Sequence, residues 1–449
     1  MEKLSVVLLV KREKSLKGMA ILKKMLLCFT VLFLALSSLQ FSFHGFPEKS
    51  LNGYFRLKPV PELKFFTWRR WFSGEFQEKT TANLEDHTGF RNSLFRIHND
   101  YDYRLFGITH TEGFIRGKGG NLFEEDYILE YTGKYFIGKK SWDYKLRKLQ
   151  AVQQKLHSAG TYLILVVEPG KASYYSELIP YRYLRNGKTL SNYTYLTSWL
   201  DSRKIPYLNL NKWFLELKDT CRYPLFPEYG MHWSLYSVPL VVDTLAGYIE
   251  TVTNRKLPRF TTGRVVLSDS LRWTDKDIAD LLNLVIPLRG SKMAYQEVTI
   301  GKEHAEPTLK VLTIADSYYL NVINDYSGKV FESEEYWYYN SKLYPHIIDD
   351  RDLVHVDKSD LLNKLTGFDV ILLMVSEINL HCGFWNFADE AYQAFFPGFS
   401  DPPWYPYENR IRNERGWLRF LVKKAEMNGI SLESQIERDA KYLYNLENH

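Results

Sequence analysis

The sequence predicts an α/β fold: a three-layer α/β/α sandwich around a parallel sheet, carried on an N-terminal membrane anchor and followed by a helical tail. Unbroken apolar runs at residues 162–167, 310–314 and 368–375 are bounded by turn residues, as expected of strands buried on both faces. Between them lie stretches with apolar residues at helical spacing, and such alternation builds a parallel sheet with helices on both sides. The third observation is an uncharged apolar segment, residues 25–43, behind a strongly basic lead.

Residues 1–24 carry seven basic side chains (Lys3, Lys11, Arg12, Lys14, Lys17, Lys23 and Lys24) against Glu2 and Glu13. The net charge of +5 therefore resides entirely in this lead, and the remaining 51 basic and 51 acidic residues balance. No basic surface is left over for a phosphate backbone, which argues against nucleic acid as the main partner. The nineteen residues 25–43 are just long enough to cross a hydrocarbon core of ~30 Å at ~1.5 Å per residue. With basic residues held inside, the N-terminus is expected in the cytoplasm. The chain beyond 44 is then expected on the outer face of the cytoplasmic (inner) membrane. Small residues at 35–38 leave a cleaved signal peptide as the alternative, and either reading exports the rest of the chain.

Hydrophobic content of 45% and charged content of 25% are those of a folded chain, and 449 residues can hold one large domain with additions. The expected organisation is a basic tail 1–24, the anchor 25–43, an aromatic and turn-rich part 44–140, the α/β domain 141–400 and a helical tail 401–449. A helix is expected over 91–106. Another covers 143–159, with Leu146, Leu149, Val152 and Leu156 on one face and Gly160 closing it. The strand 162–167 then runs into Pro169-Gly170. A helix 194–202 precedes a short strand 207–210, and Ser234 suits the N-cap of a helix through Val241, Leu245 and Ile249. In the tail, helices are expected over 410–427, stopped by Asn428-Gly429, and over 431–446, capped by Ser431. Cys28, Cys221 and Cys382 read as free thiols. There is no C-x-x-C and no His/Cys cluster with zinc-ligand spacing, so neither metal nor cofactor is implied.

Parallel sheets present ligands at the carboxyl ends of their strands. The strand 310–314 runs into Ala315-Asp316-Ser317, which puts a serine hydroxyl in a tight turn at the sheet edge, where its own N–H can help hold an oxyanion. Tyr229-Gly230-Met231-His232-Trp233-Ser234 supplies a histidine in a loop of the same domain. It could take the proton of Ser317, the serine–histidine logic of acyl transfer.

In order and spacing these residues resemble the SGNH hydrolase-like alginate O-acetyltransferase family (AlgJ/AlgX-like, related to the DHHW and DltD-type proteins), over much of residues 65–380. Gly89-Phe90-Arg91 comes first, then Gly117 to Phe123, similar to a Gly-Lys-x-Gly-x-Leu-Phe stretch, then Pro169-Gly170-Lys171, similar to Pro-x-Lys. His232-Trp233 matches the family's His-Trp box, Ala315-Asp316-Ser317 its Gly-Asp-Ser box, and 368–377 its late strand. The resemblance implies an SGNH-type sandwich with Ser317 as nucleophile and His232 as base. It also implies acetyl transfer to, or ester cleavage from, an exported polysaccharide, with a multi-span membrane acyltransferase as acetyl donor.

One departure bears on mechanism: the family's Asp-x-His-Trp has Gly230 in its Asp position. Glu228, four residues before His232, is the leading substitute for the triad acid. Asp316 is the other, although a residue beside the nucleophile usually points away from it. Lys171 and Glu168 flank a strand end, either lining the cleft or pairing at the surface. Glu377 and Asn379 follow the last strand, as oxyanion or cleft residues or simply as a turn. Asp275-Lys276-Asp277 reads as a solvated helix start without calcium-loop spacing. Two alternatives to the transferase stay open: an esterase acting on carbohydrate or lipid, and a non-catalytic polysaccharide-binding accessory subunit that has lost its triad.

Overall fold

Alternate residues of each central strand feed two separate cores. Along Tyr162–Glu168, Ile164 and Val166 enter one and Leu163, Leu165 and Val167 the other. Val370–Ser376 divides in the same way, with Val370, Leu372 and Met374 on one face and Ile371, Leu373 and Val375 on the opposite one. Successive side chains of a strand point to opposite faces, so an unbroken apolar run is what a doubly covered sheet requires.

The computed structural model describes residues 2–53, 66–300, 308–347 and 352–448, with only the backbone given for 2–17. The basic side chains expected at positions 3–17 and the segment 54–65 of the aromatic-rich part lie outside the described residues. The chain divides into two compact units, Met1–His110 with Asp280–Pro287, and Thr111–Ala279 with Leu288–His449.

In the first unit a 42-residue helix, Glu2–Phe43, leads into helices Trp68–Phe72, Glu75–His87 and Arg91–Phe106. Its part Gly18–Phe43, of mean hydropathy 2.1, is long and apolar enough to cross a membrane once.

The second unit contains ten strands among the described residues. These are β1 (Phe114–Arg116), β2 (Leu122–Glu124), β3 (Tyr162–Glu168), β4 (Leu208–Asn209), β5 (Phe260–Ser268), β6 (Met293–Ile300), β7 (Lys310–Ala315), β8 (Ser333–Tyr338), β9 (Lys342–Leu343) and β10 (Val370–Ser376). Six form the central sheet, in the order β4-β3-β10-β7-β8-β9. All its pairings are parallel except β8 with β9, and the three strands expected from the apolar runs are immediate neighbours. Helix Val238–Thr253 covers one face through Val241, Leu245 and Ile249; helix Lys139–Ser158 covers the other through Leu146, Val152 and Leu156. The mixed α/β fold with a central, mostly parallel sheet is thus the one the sequence predicts. A tail of three helices, Tyr405–Asn413, Arg415–Asn428 and Leu432–Asn448, packs around Ile411, Leu418, Leu421 and Ile436.

Local details differ from expectation for physical reasons. Ser234 does not cap the helix after His232: its hydroxyl donates to the Pro224 carbonyl at 2.8 Å, and the helix begins past Ser237. The expected tail helix 410–427 is broken at Glu414, whose extended backbone separates two helices. β1, β2, β5, β6, β8 and β9 carry no long unbroken apolar run and so lack the signal that marks the three central strands in the sequence.

Candidate active site

Ser317 is placed by two neighbouring strand ends tied together. Asp316 leaves β7 in an extended conformation, and its Oδ1 accepts from the Tyr318 N–H at 3.1 Å, closing the turn that carries Ser317. Its Oδ2 accepts from β10: the Ser376 N–H at 3.1 Å, the Ser376 hydroxyl at 2.5 Å and Asn379 Nδ2 at 2.7 Å. Asp316 is fully buried, and four donors on one carboxylate satisfy the charge that burial would otherwise penalise. The acid beside the serine therefore joins β7 to β10 and points away from the histidine.

His232 lies in an irregular loop and comes within 2.9 Å of Ser317 Oγ through Nε2. Its Nδ1 faces Asp277 Oδ2 at 2.7 Å. A carboxylate there selects the tautomer with the proton on Nδ1, leaving Nε2 as an acceptor for the serine hydroxyl. Burial, the largest single influence, lowers the imidazole pKa. The Asp277 hydrogen bond and the charges of Asp277, Asp316 and Glu124 outweigh it and hold the pKa above its ordinary value. The ring edge is packed by Tyr318, 4.9 Å between centroids, whose hydroxyl donates to the Met231 carbonyl at 2.9 Å. A cavity of about 190 Å³ opens at Ser317, lined also by Met231, Tyr318, Tyr339, Asn379 and Arg415.

No family model and no curated protein matches this chain. Among solved structures it is similar to the O-acetyltransferase domain of Pseudomonas putida AlgJ, with 15% identity and a TM-score of 0.38 over 60% of this chain and 92% of that one. Pseudomonas aeruginosa AlgX is similar at 14% identity and a TM-score of 0.34, covering 62% of this chain and 57% of that one. Bacillus cereus PatB1 is similar at 12% and 0.34, covering 56% and 92%.

The acid on His232 is Asp277, which the sequence reading left as a solvated helix start. Gly230 explains why. A Cβ built there would lie 2.0 Å from the Thr274 carbonyl oxygen and 2.7 Å from Pro227 Cγ, so the backbone that leads to Asp277 occupies the space of the missing side chain. The segment is pinned on the histidine loop by the Met231 N–H to Asp277 Oδ1 at 2.8 Å, the Ala279 N–H to the Tyr229 carbonyl at 3.2 Å and the Leu235 N–H to Asp275 Oδ1 at 3.1 Å. No local pattern marks Asp277, since Asp-x-Asp before a short helix looks like any capping segment. The available hint was Gly230 itself, a small residue where an acid was expected.

Glu228, the leading candidate for that acid, turns elsewhere. Its carboxylate accepts from the Ser291 N–H at 3.2 Å, and its backbone carbonyl accepts from the Leu122 N–H at 3.0 Å and Lys171 Nζ at 3.0 Å. Lys171 is fully buried, neither at the surface nor lining the serine cavity, and also donates to the Gly230 carbonyl at 2.6 Å. It holds the chain just before His232 from below. Burial pushes this ammonium down to about 7, against the raising influence of Asp277 and Glu228. Glu168 is likewise buried rather than in a surface pair, and burial raises its pKa well above the usual carboxylate range.

Glu377 accepts from the Ser173 hydroxyl at 2.7 Å and from Asn211 Nδ2 at 3.4 Å. It packs against Gly170, where a Cβ would sit 2.0 Å from its carboxylate, and so serves the β3 end of the sheet instead of the cavity. Asn379 does line the cavity, and its Nδ2 donates towards Asp316 at 2.7 Å and Ser376 Oγ at 3.1 Å, two acceptors that lie side by side at 2.5 Å. It braces the turn from the wall of the cavity. Its Oδ1 accepts from Arg415 Nη2 at 2.9 Å, and Arg415 Nη1 donates to Glu124 Oε1 at 2.6 Å. Arg415, the first residue of a tail helix, was not singled out from sequence. One arginine in an exposed-looking helix carries no signal of the cavity it reaches.

Proposed function

We propose that this chain is an extracytoplasmic, membrane-anchored SGNH-type O-acetyltransferase that acylates a cell-surface or exported polysaccharide through Ser317. The observation that carries the reading is the line of contacts Ser317 Oγ to His232 Nε2 at 2.9 Å and His232 Nδ1 to Asp277 Oδ2 at 2.7 Å. That is the arrangement of nucleophile, base and orienting acid used for acyl transfer. His232 takes the hydroxyl proton as Oγ attacks the acyl carbonyl of the donor, and the imidazolium returns that proton to the leaving group. The acyl group is then an ester on Ser317. His232 next deprotonates a sugar hydroxyl, which attacks this ester, and the proton passes back to Ser317 as it leaves. No net proton is gained or lost. The polysaccharide acceptor and the multi-span membrane acyltransferase donor rest on the sequence resemblance. The outer-face placement rests on the basic lead before the apolar helix.

The accessory-subunit alternative drew its support from Gly230, and a carboxylate on His232 Nδ1 favours the enzyme reading over it. Esterase activity differs only in water replacing the sugar hydroxyl. The test uses the full-length chain in detergent with an activated acetyl ester and a serine-directed acylating probe. Ser317→Ala is expected to abolish probe labelling and to lower acetate release by on the order of 10³-fold or more, with His232→Ala close behind. Labelling and release unchanged in both variants would overturn the catalytic reading. Transfer of label to an added polysaccharide, as against water alone, separates transferase from esterase.

A further inference from the structure

A second cluster of chemically able side chains lies in the first unit, on helix Arg91–Phe106 and the chain just after it. His98 and Asp102 are one helical turn apart, so both project from the same face. Gly107, in the left-handed region at φ 68°, ends the helix and turns the chain back. His110 returns to that face, its ring stacked on His98 with centroids 4.5 Å apart. His110 Nε2 lies 2.6 Å from Asp102 Oδ2 and His98 Nε2 lies 3.6 Å from the same oxygen. One ligand atom from each of the three residues lies within 4.8 Å of the other two.

From this arrangement we infer that His98, Asp102 and His110 form a binding site for a divalent transition ion of the zinc class. Two imidazole nitrogens and one carboxylate oxygen suit zinc, copper or nickel and disfavour calcium or magnesium, which take oxygen donors. Bonds of about 2.0–2.1 Å in a tetrahedral site separate ligand atoms by about 3.3 Å. The His98–Asp102 spacing of 3.6 Å is close to that value already, and the His110–Asp102 contact at 2.6 Å must open by less than an ångström. His98 and His110 are exposed and Asp102 is half-buried, so rotamer changes can supply that shift and water can fill a fourth position. In its hydrogen bond to Asp102 the His110 proton sits on Nε2, and the ring presents Nε2 to an ion only in the other tautomer, with the proton on Nδ1. Binding thus exchanges the His110–Asp102 hydrogen bond for two metal bonds.

No short-range His/Cys spacing marks this cluster in the sequence. Here the third ligand is returned by the turn after the helix, eight residues beyond Asp102. None of the three residues belongs to the Ser317–His232–Asp277 arrangement, and nothing in the acyl-transfer chemistry requires them.

The experiment is titration of the untagged full-length chain in detergent with zinc, followed by calorimetry, and with cobalt(II), followed by visible absorption. Wild type is expected to bind one equivalent more than His98→Ala/His110→Ala and to give intense cobalt d–d bands that the double variant lacks. Asp102→Asn, which keeps both imidazoles and the helix, is expected to weaken zinc binding by at least about tenfold. Equal stoichiometry and affinity in wild type and both variants, or cobalt spectra no different from free aqueous ion, would overturn the site. Acetate release by wild type and the double variant reports on folding and is expected to be the same.

Discussion

The two halves of the proposed catalytic arrangement are held by different kinds of structure. Ser317 stands on the sheet: β7 and β10 are hydrogen-bonded neighbours, and Asp316 bonds across their ends to Ser376 and Asn379. His232 stands on an irregular segment and Asp277 at the start of the short helix Asp277–Leu281, the two joined by side-chain and turn contacts, with Lys171 bonded to the histidine loop. A strand ladder repeats over many residues and survives the loss of one contact. The junction of His232 and Asp277 depends on a few hydrogen bonds and on shape, so single substitutions there should change geometry more than folding.

Asp277→Asn should break the loop side most severely. The amide cannot hold the productive tautomer, and kcat for acetate release should fall by on the order of 10³–10⁴ with little change in melting temperature. The pH profile sharpens the assignment. His232 works as a base only when neutral, and its pKa is raised, so wild-type kcat/KM should rise with pH through a midpoint above 6.5. In Asp277→Asn the main raising influences are gone and burial, which lowers the pKa, remains. The acid limb should therefore move to lower pH. A limb that stays in place would assign the orienting acid elsewhere.

Gly230→Ala should act next. The new methyl would meet the Thr274 carbonyl, a backbone atom that can yield only by moving the segment that carries Asp277. Overpacking of this kind costs about 1–3 kcal/mol, and a shift of the acid by about 1 Å should slow acetate release by up to roughly a hundredfold. Wild-type activity together with unchanged chemical denaturation would show that the two segments are not pressed together. Glu228→Gln should have the smallest effect, within about twofold, because its carboxylate bonds the Ser291 N–H and not the histidine. A loss as large as that of Asp277→Asn would return the acid to position 228.

Much of the architecture was legible in the chain because its signals are local. Runs such as Leu163 to Val167 and Val370 to Val375 name buried strands by themselves, and the helix of Leu146, Val152 and Leu156 announces its face by spacing alone. Ser317 after β7 and His232 in its loop were legible for a related reason, since each sits in a short pattern. Asp277 was not. It lies 45 residues beyond His232 and 40 before Ser317, in a segment whose sequence is that of an ordinary helix start. Lys171 looked like a surface cation, and Arg415 looked like one more charge on a tail helix. Their roles come from which carbonyls and carboxylates folding brings to them.

By itself, then, the sequence determined the α/β alternation, the three adjacent strands, the apolar helix after a basic lead, and the serine and histidine. Only the tertiary structure decided which acid faces His232, why Glu228 does not, and that His110 comes back to His98 and Asp102. The physical reason is range. Hydrophobic period and turn chemistry are written within a few residues, whereas the acid's place depends on the Thr274 backbone filling the volume that Gly230 leaves empty.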